Sequence, residues 1–136
     1  MSTKYLTEEQ LKKLNIKAIE MTGVGTPGIQ SKYVFDAVIQ QPQQELFGQE
    51  LYPTIWLKAA FILQKIIKTP VFVDGSKRSA VIITIEFLKQ NGYKPRDENF
   101  FDQSKELTLN VVLAPNTEEE MKKIAAILER RFVSLN

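Results

Sequence analysis

Residues 69–93 read TPVFVDGSKRSAVIITIEFLKQNGY: a short loop, an Asp74-Gly75 turn and then a helix. Ala80, Ile83, Phe87 and Leu88 recur at helical spacing and give that helix an apolar face. Gly92 follows the last turn, where a glycine ends a helix in the left-handed conformation. Ser76 stands where the helix begins, so its hydroxyl is expected to cap free backbone N–H groups. Lys77 and Arg78 then fall in the first turn, where the macrodipole is positive and acidic residues are preferred. Two cations there repel the helix end unless an anion lies between them. A glycine turn, free N–H groups and basic side chains make a phosphate site of Gly75, Ser76, Lys77 and Arg78. Asp74 is the one nearby carboxylate that suits a hard cation such as Mg²⁺. The same residues also fit a common Asp-Gly turn followed by a solvated basic pair. Phe72 and the apolar face of the helix belong to the core.

At 136 residues the chain, 1–136, reads as a single domain with room for a real core. Its 43% apolar and 25% charged residues are ordinary for a globular protein. It has no cysteine, hence no disulfide framework and no thiol chemistry. It has no histidine either, which removes the commonest general base and every histidine-containing metal site or triad. A net charge of +2 is too mild to argue for a nucleic-acid partner. Ser2 to Lys17 is polar and charged, so no signal peptide is expected. Lys65, Lys68 and Glu86 interrupt the apolar stretches, so no membrane span is expected.

Outward from the central stretch, helices dominate. Thr7-Glu8-Glu9-Gln10 is a capping box before a first helix with Leu11, Leu14, Ala18 and Met21 on one face. Gly23 to Gly28 is dense in glycine and proline and must be a loop. Ser31 caps a second helix with Val34, Phe35, Val38 and Ile39 inward. Gln40 to Tyr52 is a polar loop. Pro53 suits the first turn of a third helix running to about Lys68. That helix is apolar nearly all round and should be the central one, packed against the helix after Gly75. Trp56 anchors packing. Asp102 caps a fifth helix through Leu113. Thr117 to Glu120 is a second capping box before a last helix with Met121, Ile124, Ala125, Leu128 and Phe132 inward. The fold class is therefore all-α: a compact bundle of about six helices, with room for a small β-hairpin in the glycine-rich loop.

The central stretch resembles the motif of the Fic/Doc family, in its death-on-curing (Doc-like) branch. The family pattern is His-x-Phe-x-Asp-Gly/Ala-Asn-Lys-Arg, followed by a helix ending in Asn-Gly-Tyr. Phe72, Asp74, Gly75, Lys77, Arg78 and Asn91-Gly92-Tyr93 match it. Pro70 stands in the histidine position and Ser76 in the asparagine position. Residues 5–40 resemble the branch's N-terminal helix and Pro-Gly loop, and that loop resembles a flap over the active site. Gly48 to Trp56, with Leu51-Tyr52-Pro53-Thr54, resembles its entry to the third helix. The resemblance covers about residues 5–93.

The resemblance implies enzymes that move part of a nucleoside triphosphate, as phosphoryl or AMP, onto a protein hydroxyl. One target in the family is elongation factor Tu. It implies ATP and Mg²⁺ as cofactors, with Asp74 the metal ligand and Gly75, Ser76, Lys77 and Arg78 the phosphate contacts. It implies an antitoxin partner, a toxin–antitoxin or prophage setting, and the cytoplasm. No residue of this chain takes the catalytic role, because Pro70 is neither base nor donor. A general base contributes ~10²–10⁴-fold, so its loss leaves a slow or silent enzyme. Two other readings remain: a non-catalytic Fic/Doc-fold module that docks a protein, and a helical domain with no ligand.

Overall fold

A computed structural model of the chain describes residues 2–136. Six longer helices and one single-turn helix make up the fold. They are α1 (Glu8–Thr22), α2 (Lys32–Gln40), α3 (Ile55–Lys68), α4 (Ser76–Gln90), α5 (Phe100–Gln103), α6 (Lys105–Leu113) and α7 (Glu118–Arg131). A 3-10 turn, Gln41–Gln43, follows α2. The only sheets among the described residues are two antiparallel pairs, β1 (Glu45–Leu46) with β2 (Gln49–Glu50) and β3 (Tyr93–Pro95) with β4 (Phe132–Ser134). The all-α expectation is met.

The centre is the expected helix pair. Ala59, Ala60, Ile62, Leu63 and Ile66 of α3 are buried, and so are Ala80, Ile83, Phe87 and Leu88 of α4. α3 packs along α4 on one side and along α7 on the other. α7 contributes Met121, Ile124, Ala125 and Leu128. Trp56 packs against Tyr93 with ring centroids 4.8 Å apart. Apolar burial of this kind contributes roughly 25 cal/mol per Å², and α3 gains it on both sides.

The first capping box forms as read. Thr7 Oγ1 accepts from the Gln10 N–H at 3.2 Å, and Gln10 Oε1 accepts from the Thr7 N–H at 2.9 Å. Thr117 accepts from the Glu120 N–H at 3.2 Å, but the Glu120 carboxylate takes Lys123 at 3.0 Å. Ser31 caps α2 by accepting from the Val34 N–H.

Several boundaries differ from expectation. Pro53, expected in the first turn of α3, precedes the helix, and Thr54 caps it by accepting from the Leu57 N–H at 3.1 Å. The fifth helix divides at Ser104 into α5 and α6. The hairpin lies at 45–50, in the stretch read as a polar loop, while the glycine-rich loop forms a single bridge, Ile29 to Phe72. Phe132 is buried from β4 rather than from α7. Met21 is exposed, and the inward stripe of α1 is Leu11, Asn15, Ala18 and Ile19.

Candidate functional site

The helix after the motif begins differently from the expectation at Ser76. Gly75 is the N-cap residue, with φ 72° and ψ 25°, and Ser76 is already the first helical residue. No side chain caps the end. The first intrahelical bond runs from the Ser79 N–H to the Gly75 carbonyl at 2.8 Å. The N–H groups of Ser76, Lys77 and Arg78 therefore have no partner inside the helix, which is the ordinary state of a helix start. Gly75 is required here twice over. A side chain disfavours its positive φ, and a Cβ would come within 2.9 Å of Ile19 Cδ1.

This helix start opens into a cavity of about 840 Å³ between α4, the end of α3 and the α5–α6 segment. Gly75, Ser76, Lys77 and Arg78 line one side. Ile67, Val81 and Phe101 line it with Leu109 and Val112, giving it a largely apolar wall. Lys105 adds a third cation and Asp102 one carboxylate. The Arg78 guanidinium lies 5.6 Å from the centroid of the Phe101 ring, in cation–π range. Lys77, Arg78 and Lys105 form no ion pair among the described residues. Free N–H groups at the positive end of a 15-residue helix, beside unpaired cations, form an environment suited to an anion. The apolar wall suits a less polar portion of the same molecule.

The front half of the motif faces elsewhere. Pro70 is exposed, while Val71 and Phe72 are buried. The Phe72 ring meets Phe35 edge-on, with centroids 6.3 Å apart. Residues 71–73 pair with the glycine-rich loop. The Gln30 N–H donates to the Val71 carbonyl at 2.9 Å, and the Val73 N–H donates to the Gly28 carbonyl at 3.0 Å. Neither Pro70 nor Asp74 lines the cavity. The structure thus brings Gly75, Ser76, Lys77 and Arg78 together and leaves Asp74 on the loop side.

Asp74 Oδ2 accepts from the Thr26 N–H at 2.9 Å. Its backbone carbonyl accepts from Asn15 Nδ2 at 3.1 Å. Among the described residues no three His, Cys, Asp or Glu side chains gather to hold a metal ion. At the motif a hard cation would meet one carboxylate, Asp74, with Oδ2 already accepting from Thr26. Mg²⁺ at this point would take its other ligands from phosphate oxygens and water.

Sequence reading missed Asn15, which is 1% exposed on α1. Its Nδ2 also donates to Ser79 Oγ at 3.0 Å, and its Oδ1 accepts from the Gly28 N–H at 2.9 Å. One amide thus joins α1, α4, the motif turn and the glycine-rich loop. The available signal was an amide at i+4 from Leu11, inside the apolar stripe. Phe101 and Lys105 carried no signal, because only the fold brings the α5–α6 segment to α4.

No helix is long and apolar enough to cross a membrane among the described residues. The family model described as Fic/DOC family matches residues 5–88. The chain is also 30% identical over 105 residues to Toxin Doc of Mycolicibacterium smegmatis (strain ATCC 700084 / mc(2)155), which covers 77% of this chain and 78% of that relative. The family match spans the glycine-rich loop, α3, the motif turn and the cation-flanked start of α4. With that framework matched, the chain belongs to the Fic/Doc family, in its Doc-like branch.

Proposed function

We propose that this chain is a Doc-like protein of a toxin–antitoxin or prophage system that binds the phosphates of a nucleotide at the first turn of α4, and that its group transfer is impaired. The observation that supports it is the uncapped start of α4, flanked by unpaired Lys77 and Arg78 and opening into the 840 Å³ cavity. ATP is the nucleotide class, with phosphates at the free N–H groups of Ser76, Lys77 and Arg78. Mg²⁺ would accompany the phosphates. Ser76 contributes its N–H and a hydroxyl of short reach.

The impairment follows from composition. With no histidine in the chain and Pro70 in the family's base position, no side chain at that position takes a proton from an acceptor hydroxyl. Phosphoryl transfer otherwise depends mostly on positioning and charge stabilisation, so phosphate binding can outlast the loss of transfer. Similarity to a protein named as a toxin supports an antitoxin as partner. Elongation factor Tu is the acceptor to test first. The second reading, a non-catalytic module that docks a protein, is favoured by the exposed Pro70, which leaves the fold intact while removing the base.

Calorimetric titration of ATP with Mg²⁺ tests the binding claim. Lys77→Ala with Arg78→Ala should weaken binding by at least about tenfold, since each charge-assisted hydrogen bond contributes about 1.5–3 kcal/mol. Unchanged affinity in a folded double variant would put the site elsewhere.

A further inference from the structure

We propose that Asp74 is the latch of the glycine-rich loop in this chain. Residues 21–27 are all exposed, and Val24 at the loop tip is 75% exposed. Burial of apolar surface therefore does not hold the tip down. Its polar contacts must do so, and they are few.

Within 23–27 most hydrogen bonds are local to α1. The Gly23 N–H donates to the Ile19 carbonyl at 2.9 Å, and the Val24 N–H donates to Thr22 Oγ1 at 3.2 Å. Thr22 Oγ1 in turn donates to the Val24 carbonyl at 3.1 Å. Among the described residues, one hydrogen bond ties this span to anything beyond α1: the Thr26 N–H to Asp74 Oδ2, at 2.9 Å. A charged acceptor makes it stronger than a neutral one.

Steric fit gives a second, independent sign that the loop is built around this side chain. Gly25 has φ 103°, and a Cβ there would lie 3.0 Å from Asp74 Cβ and 3.4 Å from its Cγ. A side chain at 25 would have to push Asp74 and Ile19, whose Cδ1 lies 3.2 Å away, by a few tenths of an ångström, and the positive φ favours glycine besides. Asn15 completes the clasp from below, gripping the Gly28 N–H of the loop and the Asp74 carbonyl of the motif with one amide.

The motif is thus divided between two tasks. Residues 71–74 dock the loop, and residues 75–78 face the cavity.

Amide hydrogen exchange at Thr26 reports the latch directly, without nucleotide, so its outcome is separate from that of the phosphate reading. Three proteins are compared: the unmodified chain, Asp74→Ala and Asp74→Asn. Alanine removes the acceptor. Asparagine keeps an acceptor oxygen in place without the charge. The expected result is Thr26 exchange about tenfold faster in Asp74→Ala, from loss of one exposed charge-assisted bond. Asp74→Asn should accelerate it about threefold, since a neutral oxygen accepts about half as strongly. No acceleration in the alanine variant overturns the latch. So does equal acceleration in both variants. Should Asp74→Ala fail to fold, Asp74→Asn alone carries the test: faster Thr26 exchange, with α3 and α4 amides unchanged, supports the latch; unchanged exchange overturns it.

Discussion

Asn15 sits on the buried stripe of α1 between Leu11 and Ile19, yet it is an amide with every hydrogen-bonding direction aimed at another segment. Such a residue is stabilising only while all its partners are present, because an orphaned buried group costs about 1–3 kcal/mol. Asn15→Ala strands the Gly28 N–H and removes two donations, to Asp74 and Ser79. We expect it to lower stability by about 2 kcal/mol in denaturant titration, with a loop that loosens before the helices do. A change under a few tenths of a kcal/mol would mean that water replaces the amide freely. Lys58 follows the same logic. It is 2% exposed, and its ammonium donates to the Pro42 carbonyl at 3.2 Å, to Glu50 Oε1 at 3.0 Å and to the Tyr52 carbonyl. Both residues escape a reading by periodicity, because polarity predicts exposure and only the assembled fold supplies their partners.

The elements were legible wherever a local rule dictated the outcome. Thr7, Ser31 and Thr117 cap the helices they were expected to cap, because an N-cap is decided within four residues. The α3–α4 seam was legible because α3 is apolar nearly all round and α4 carries a long apolar stripe, so both must be buried. The 45–50 hairpin was not. Its turn, Phe47-Gly48, has φ 53° and 77°, and phenylalanine is an unexpected choice at a positive-φ position. The β3–β4 pair was hidden because its strands come from chain positions about forty residues apart, joined only after α7 packs. At the start of α4, the cavity lining by Gly75, Ser76, Lys77 and Arg78 appears only in the fold, and the expected cap was misplaced by one residue: the left-handed turn falls on Gly75, so Ser76 enters the helix. Gly75→Ala tests how firmly that geometry is fixed. The positive φ costs roughly 1–2 kcal/mol, and Ile19 would have to move its Cδ1 end aside. Thermal unfolding should show the combined loss. A variant as stable as the parent would mean that the turn relaxes without cost, and that the helix start is not held where the anion reading needs it.

At the scale of the whole molecule, the helical bundle, the loop docked on residues 71–73 and the cation-flanked start of α4 belong to a Doc-like member of the Fic/Doc family. On the proposed reading Pro70 stands where the family has its proton acceptor, and the sequence holds no histidine to substitute for it. The phosphate binding proposed above rests on backbone N–H groups and two cations, which need no general base. Moving a phosphoryl or AMP group to a hydroxyl requires the acceptor's proton to leave, and loss of a general base costs ~10²–10⁴-fold. The most direct test is intact-mass spectrometry of elongation factor Tu after incubation with the purified chain, ATP and Mg²⁺. The account predicts an acceptor of unchanged mass under conditions in which calorimetry shows ATP bound. An acceptor carrying one added phosphoryl or adenylyl group after catalytic amounts of the chain would contradict it.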